Sequence, residues 1–315
     1  MRVSSRLEQA HPLLWPWLLG GLGLLALCAA AGTLYVSNGR ALEVSENPPS
    51  RNPKPEPAAP VAAVPGTEKD LVQLQPITLP MREYEELKYD ILWNGVPAGL
   101  ARFRTKPPKP FMDASGPLVW PVQLEVRTNK VVNTFYPVND RTRSMIDVQG
   151  GFSRFFLQEM DEGDYETRDR ISFDYTMDHL SATCEHDRGK DNWRSIGVPL
   201  PGKVLDPLSA LYYLRSTNLS LTQPVTLPVC AERRVWNVTL APLGRETITL
   251  AGINENKPID CLVVSMEFDF NGLFVRKGPL KVWLDEKTKI PLKIVTELPI
   301  GPCEIRLVKM GTYDH

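Results

Sequence analysis

From residue 84 onward the chain is dominated by a hydrophobic period of two, and this feature restricts its fold more than any other. In EELKYDILWNG the apolar side chains Leu87, Tyr89, Ile91 and Trp93 alternate with Lys88, Asp90 and Leu92, and Asn94-Gly95 follows. Successive strand side chains point to opposite faces, so the pattern predicts a half-buried strand closed by a hairpin turn, with residues 98–105 as its partner. Alternating runs recur at 119–128, 143–148, 155–160, 168–175 and 177–184, and again at 225–229, 234–240, 247–250, 260–270, 280–284, 290–298 and 303–310. Turn chemistry separates them at Asp161-Glu162-Gly163-Asp164, at Asn271-Gly272 and between Asp285 and Lys289. More than ten short strands with few helical stretches predict a mainly β fold. The expected form is a single large antiparallel β domain over 84–312, built as a curved, barrel-like sheet or a sandwich.

One helix interrupts this pattern. In VLDPLSALYYLRS, Asp206 can accept from the free amides of a first helical turn and Pro207 suits the first helical position. Leu208, Leu211, Tyr212 and Arg215 then follow at helical spacing, which predicts a helix over 207–215 crossing the sheet. A second short helix near 130–136 stays open, because Val131 and Val132 are β-branched.

The N-terminus reads differently. Residues 13–36 form an uncharged stretch of 24 residues, preceded by Arg2 and Arg6. At about 1.5 Å of helix rise per residue it is long enough to span a bilayer. It is expected to be a signal anchor, with 1–12 in the cytoplasm, or a signal peptide cut after Ala29-Ala30-Ala31. Trp15, Trp17 and Tyr35 near its ends favour the anchor, because their rings prefer the membrane interface. Leu27 argues against acylation at Cys28, since that processing site takes a small residue before the cysteine. Residues 37–80 are expected to be a Pro-rich disordered linker: NPPSRNPKPEPAAPVAAVPG holds seven prolines and no apolar periodicity. The organisation predicts a domain held on the periplasmic side of a bacterial envelope membrane, either anchored or released by cleavage.

Three segments in order, Tyr89-x-Ile91-x-Trp93-x-Gly95-Val96-Pro97-Ala98-Gly99, then Asp206-Pro207-Leu208-Ser209-Ala210-Leu211-Tyr212-Tyr213-Leu214-Arg215, then Val282-Trp283-Leu284-Asp285 with Ile290-Pro291, resemble the bacterial exported-protein family known as domain of unknown function 3108. The resemblance spans about 84–309. It implies an envelope location, a mostly β fold with a crossing helix, and no assigned activity.

The chemistry-bearing residues are sparse. A net charge of −1 gives no basic face for nucleic acid, so no nucleic-acid partner is expected. His179, Cys184 and His186 could in principle bind zinc or copper, but alternation places His179 on the opposite face from the other two, and no second ligand cluster is in view. No metal and no cofactor are expected. Neither G-x-S-x-G, Ser-x-x-Lys nor His-Glu-x-x-His occurs, and Ser209 has no evident base. The acidic groups at 161–164 and 285–286 sit in turns. Four cysteines fall in the domain: Cys184, Cys230, Cys261 and Cys303. An oxidising compartment permits disulfides, and Cys230 with Cys261 or Cys261 with Cys303 are the pairings considered, buried free thiols being the alternative.

These readings converge on a non-catalytic domain. The helix is expected to lie over the open side of the sheet and cover an apolar pocket walled by Trp93, Phe155, Leu157, Phe173, Leu211 and Trp283, where a lipid or an envelope protein binds. By fold-level analogy, several envelope lipid carriers are built that way. The bland role of the same motif is structural, with Asp206 as cap, Pro207 as first residue and Arg215 paired to a carboxylate. A scaffold with a filled core and protein partners is the first alternative, and an envelope polysaccharide hydrolase the second.

Overall fold

The computed structural model describes residues 74–75, 77–176, 179–189, 191–219, 221–268, 280–298 and 301–314. The expected cytoplasmic N-terminus at 1–12, the membrane segment at 13–36, most of the linker at 37–80 and the Asn271-Gly272 turn lie outside them. No helix among the described residues is long and apolar enough to cross a membrane.

The alternating segments form one antiparallel sheet. Strands β1 (Glu85–Trp93) and β2 (Val96–Thr105) make the expected hairpin. Asn94 and Gly95 both take positive φ, 50° and 78°, which gives the turn whose twist matches the flanking strands. Beyond β2 the sheet continues through β4 (Leu118–Thr128), β5 (Asn139–Asp147), β6 (Ser153–Glu162), β7 (Tyr165–Thr176), β8 (His179–Asp187) and β9 (Arg194–Pro199), while the two-residue β3 (Lys109–Pro110) pairs β4 from the side. After the helix come β10 (Val225–Ala231), β11 (Arg234–Ile248), β12 (Ile259–Phe268), β13 (Leu280–Asp285), β14 (Pro291–Leu298) and β15 (Gly301–Thr312). β15 pairs with β1 from Glu85↔Thr312 to Trp93↔Cys303, so the first and last strands lie side by side in the middle of the sheet. β9 and β10 are its two ends, and the sheet is not closed.

β11 joins two stretches that read as separate strands. A bulge between Pro242 and Gly244 carries the strand past a proline that a regular ladder would not hold. The 130–136 stretch is a single 3-10 turn at Val132–Thr134, where Asn129 Oδ1 accepts from the amides of Val131 and Val132 at 3.0 and 2.9 Å.

Helix α1 (Pro207–Ser216) and the segment leading into it occupy the gap between the sheet ends. Leu200 N–H donates to Leu180 O (2.9 Å) and Ser153 N–H to Val204 O (3.0 Å). Leu205 N–H donates to Pro228 O (2.9 Å), and Cys230 N–H donates to Leu205 O (2.7 Å). Residues 200–205 thereby tie β8 and β6 on one side to β10 on the other. The helix separates two apolar clusters. Leu208 and Tyr212 belong to the larger, with residues of β1, β2, β4, β7 and β15, whereas Ala210, Tyr213 and Leu214 pack with β10 to β13. β12 is therefore buried on both faces, Cys261 and Val263 towards one cluster and Leu262, Val264 and Met266 towards the other. This accounts for its unbroken apolar run.

Candidate functional site

The N-terminus of α1 is fixed by a buried polar cluster. Asp206 is fully buried, and its Oδ1 accepts from the amides of Leu208 and Ser209 (2.8 Å each). Its Oδ2 accepts from the hydroxyls of Ser144 on β5 and Ser153 on β6 (2.6 Å each). Ser209 Oγ in turn accepts from the Asp206 amide at 2.8 Å, completing a reciprocal cap. Burial pushes the Asp206 carboxyl upward, against the pull of these four hydrogen bonds. The far end of the helix is fixed by Arg215, which donates from Nη1 and Nη2 to the two carboxylate oxygens of Glu85 on β1 at 2.6 and 2.9 Å. Both side chains of this pair are buried.

An apolar pocket opens beneath the C-terminal half of the helix. α1 contributes Leu211, Tyr212 and Arg215, and β1 and β2 contribute Leu87, Tyr89, Ala101 and Phe103. The opposite wall is Met266 of β12, Leu280 and Val282 of β13, Pro291 and Ile294 of β14, and Ile305 of β15. The pocket thus lies where the two clusters meet. Tyr89 donates its hydroxyl to Pro291 O (2.9 Å) and sets its ring edge-on to Phe103, with centroids 5.5 Å apart. Burial raises the phenols of Tyr89 and Tyr212, so both stay neutral. Arg215 Nε is buried without an acceptor among the described residues. Among the described residues no carboxylate lines the pocket, and its volume is about 40 Å³.

Of the six residues singled out in the sequence as pocket walls, Leu211 lines the cavity. Phe173 is buried in the larger cluster and stacks on Tyr175, with centroids 6.1 Å apart. Trp283 is buried on the opposite face of β13 from Leu280 and Val282, donating Nε1–H to Glu246 Oε2 at 2.7 Å. Trp93 is half-buried at the end of β1, away from the helix. Phe155 and Leu157 are half-buried where an inward orientation was expected, and Phe156 is the buried residue. The cause is local: the β5–β6 register shifts between Met145 and Ile146, which skips Arg154 and reverses the parity of β6. Tyr89, Phe103, Met266 and Ile305 were not singled out, although alternation places each on an apolar face. Nothing local to the sequence says which apolar faces meet beneath the helix.

Among the described residues no group of three or more His, Cys, Asp or Glu side chains could hold a metal ion. His186 Nδ1 lies 2.8 Å from Asp169 Oδ1, and Cys184 is buried. All four domain cysteines are buried free thiols, so neither Cys230–Cys261 nor Cys261–Cys303 is bridged.

A family model described as protein of unknown function (DUF3108) matches residues 88–308. Among solved structures, the chain is similar to a β-barrel-like protein of domain of unknown function DUF1849 from Brucella abortus, at 12% identity and a TM-score of 0.48, covering 78% of this chain and 100% of that one. It is also similar to a candidate lipoprotein from Parabacteroides distasonis, at 8% identity and a TM-score of 0.33, covering 76% of this chain and 100% of that one. A candidate exported protein with a YmcC-like fold from Bacteroides fragilis matches at 7% identity and a TM-score of 0.28, covering 75% of this chain and 100% of that one. No curated protein matches the chain.

Proposed function

Because the chain belongs to the DUF3108 family, whose description assigns no activity, we propose a role from the pocket itself: a non-catalytic domain that binds a hydrophobic ligand or an apolar segment of an envelope partner beneath α1. The observation that carries this reading is the apolar pocket between the clusters, roofed by Leu211 and Tyr212 and bounded by a guanidinium already neutralised by Glu85. Such a wall favours uncharged, apolar matter. The uncharged stretch at 13–36 and the proline-rich linker support tethering to a membrane on the periplasmic side.

The size of the cavity sets what enters. About 40 Å³ admits roughly three water-sized groups, so a chain terminus or a short branched group fits while the rest of the ligand lies across the mouth. The same small volume favours the second reading, a scaffold whose core is nearly filled and whose outer surface meets other envelope proteins. The hydrolase alternative finds no carboxylate pair at this pocket among the described residues.

The test is photo-crosslinking of the full chain in detergent micelles with a fatty acid bearing a diazirine at its chain end. Labelling of peptides spanning 87–103, 211–215 and 280–305, competed by unlabelled fatty acid, supports ligand binding. Labelling confined to residues 13–36 overturns it and leaves the scaffold.

A further inference from the structure

The residues that lead from the linker towards β1 are docked on α1. Residues 74–75 and 77–80 belong to no helix or strand. Leu79 is nevertheless buried in the larger apolar cluster, Leu74 packs against the smaller one, and Ile77 packs against both. Three carbonyls of the segment accept from side chains of the helix: Gln75 O from Tyr213 Oη at 2.7 Å, Thr78 O from Ser216 Oγ at 2.8 Å, and Pro80 O from Arg215 Nη2 at 3.4 Å. The segment also meets the turn between β5 and β6. Gly151 stands there at φ 71°, and a Cβ on it would lie 3.1 Å from Ile77 Cγ1 and 3.4 Å from Leu79 Cδ2. That turn is itself fixed, because Asp147 Oδ1 accepts from the amides of Gln149 (3.0 Å) and Gly150 (2.8 Å). We propose that residues 74–80 are a strap that clamps the C-terminal half of α1 and thereby sets how far the pocket beneath it opens.

The two halves of the helix are held by different means. Asp206 fastens the first turn to Ser144 and Ser153, which lie on adjacent strands of the sheet. All three strap bonds fall instead on residues 213–216, in the half that also carries the pocket roof, Leu211 and Tyr212. They are side-chain bonds to an irregular segment, so the strap can leave without unpairing a strand. The C-terminal half of α1 then keeps the Glu85 pair but loses its outer support. Leu211 and Tyr212 move outward with it, and the pocket widens from its resting volume of about 40 Å³. The strap continues directly from the proline-rich stretch that follows residues 13–36. A chain drawn taut between membrane and domain therefore peels Leu74 away first, and a slack chain lets the strap dock. Control of ligand entry rests on the ligand-binding reading of the pocket, whereas the clamp on α1 does not.

The experiment measures hydrogen exchange and diazirine fatty-acid labelling on the full chain in detergent micelles. Ile77→Ala with Leu79→Ala removes the apolar grip of the strap. Tyr213→Phe with Ser216→Ala removes two of its hydrogen bonds and keeps the packing, so it decides the matter where the first variant fails to fold. Thr78→Ala is the control, because its side chain is exposed and its carbonyl is retained. Both release variants are expected to exchange the amides of 213–216 at least about tenfold faster, with β5 unchanged. Labelling of peptides spanning 211–215 is expected to rise at least about threefold as the open state gains population. Thr78→Ala is expected to change neither. Unchanged exchange at 213–216 in the release variants overturns the clamp. Faster exchange with labelling no higher than the parent's overturns control of the pocket. Faster exchange with parent and variants all unlabelled keeps the clamp and sinks the ligand-binding reading instead.

Discussion

The Arg215 guanidinium donates to both carboxylate oxygens of Glu85 from opposite ends of a 130-residue separation, and neither side chain meets solvent appreciably. This pair fastens the C-terminal turn of α1 to the start of β1. Removing one partner leaves the other buried and unpaired, so Glu85→Ala is expected to cost about 3–5 kcal/mol in urea unfolding. The double variant Glu85→Leu with Arg215→Met is expected to lose markedly less than the two single losses combined. Additive losses would show that the two groups do not act as a pair.

Asp206 fixes the other end of the helix. Asp206→Ala removes a cap and leaves the Ser144 and Ser153 hydroxyls without their shared acceptor, and is expected to cost about 2–4 kcal/mol. Ser144→Ala removes one hydrogen bond of that set and is expected to cost about 1 kcal/mol. Chemical denaturation of both variants decides; equal losses would mean that the cap itself contributes little.

A pH dependence follows from Asp140 on β5 and Glu162 on β6. Both are buried, Asp140 Oδ2 and Glu162 Oε1 have no hydrogen-bond partner among the described residues, and the Asp140 charge acts on Glu162, an arrangement that favours one proton held between two carboxyls. Tyr136 donates to Glu162 Oε2 at 3.4 Å, and the Asp161 amide donates to Asp140 Oδ1 at 3.0 Å, while the Asp161 carboxylate adds repulsion. Burial and the Asp140 charge raise Glu162 from 4.5 to about 10, so the folded chain binds the extra proton. Stability is then greatest below the ordinary glutamate range and declines as pH climbs from about 4.5 towards about 10. Thermal unfolding from pH 5 to 9 is expected to show this decline, worth on the order of 1–3 kcal/mol. Glu162→Gln is expected to flatten it and raise stability at pH 8. A variant as pH-sensitive as the parent would exclude the shared proton.

Filling the pocket separates binding from folding. Leu211 is half-buried at the pocket wall, so Leu211→Trp is expected to occupy the cavity with a stability change of about 1 kcal/mol. Photo-labelling by the diazirine fatty acid is expected to drop at least about fivefold, a shift of roughly 1 kcal/mol in apparent affinity. Undiminished labelling would place the ligand elsewhere.

The elements were legible where a local rule applied. Asn94-Gly95 marked its hairpin, and Asp206-Pro207 marked the start of α1, because each acts on its own backbone. β9 was not legible: Arg194, Ser195, Ile196 and Gly197 are exposed on an edge strand, so no alternation marks it. At β6 the alternation was visible but its parity was not, since a bulge beside Arg154 decides whether Phe155 or Phe156 points inward. β13 hid the pocket in another way. Both of its faces are buried, so Trp283 and Val282 read alike although Val282 alone lines the cavity. The wall formed by β1, β2 and β13 to β15 follows from strand order, which no single segment encodes.

The pairing of β1 with β15 has a consequence for how the domain is made. β2 to β9 and β10 to β15 are each chains of neighbouring strands that can pair soon after synthesis, but Glu85 must wait for Thr312 before the ladder between β1 and β15 forms. Contacts of such long sequence separation form slowly, so pulsed hydrogen exchange should find the amides of β1 and β15 among the last protected during refolding. On the ribosome, β1 stays without one of its two neighbours until β15 has emerged.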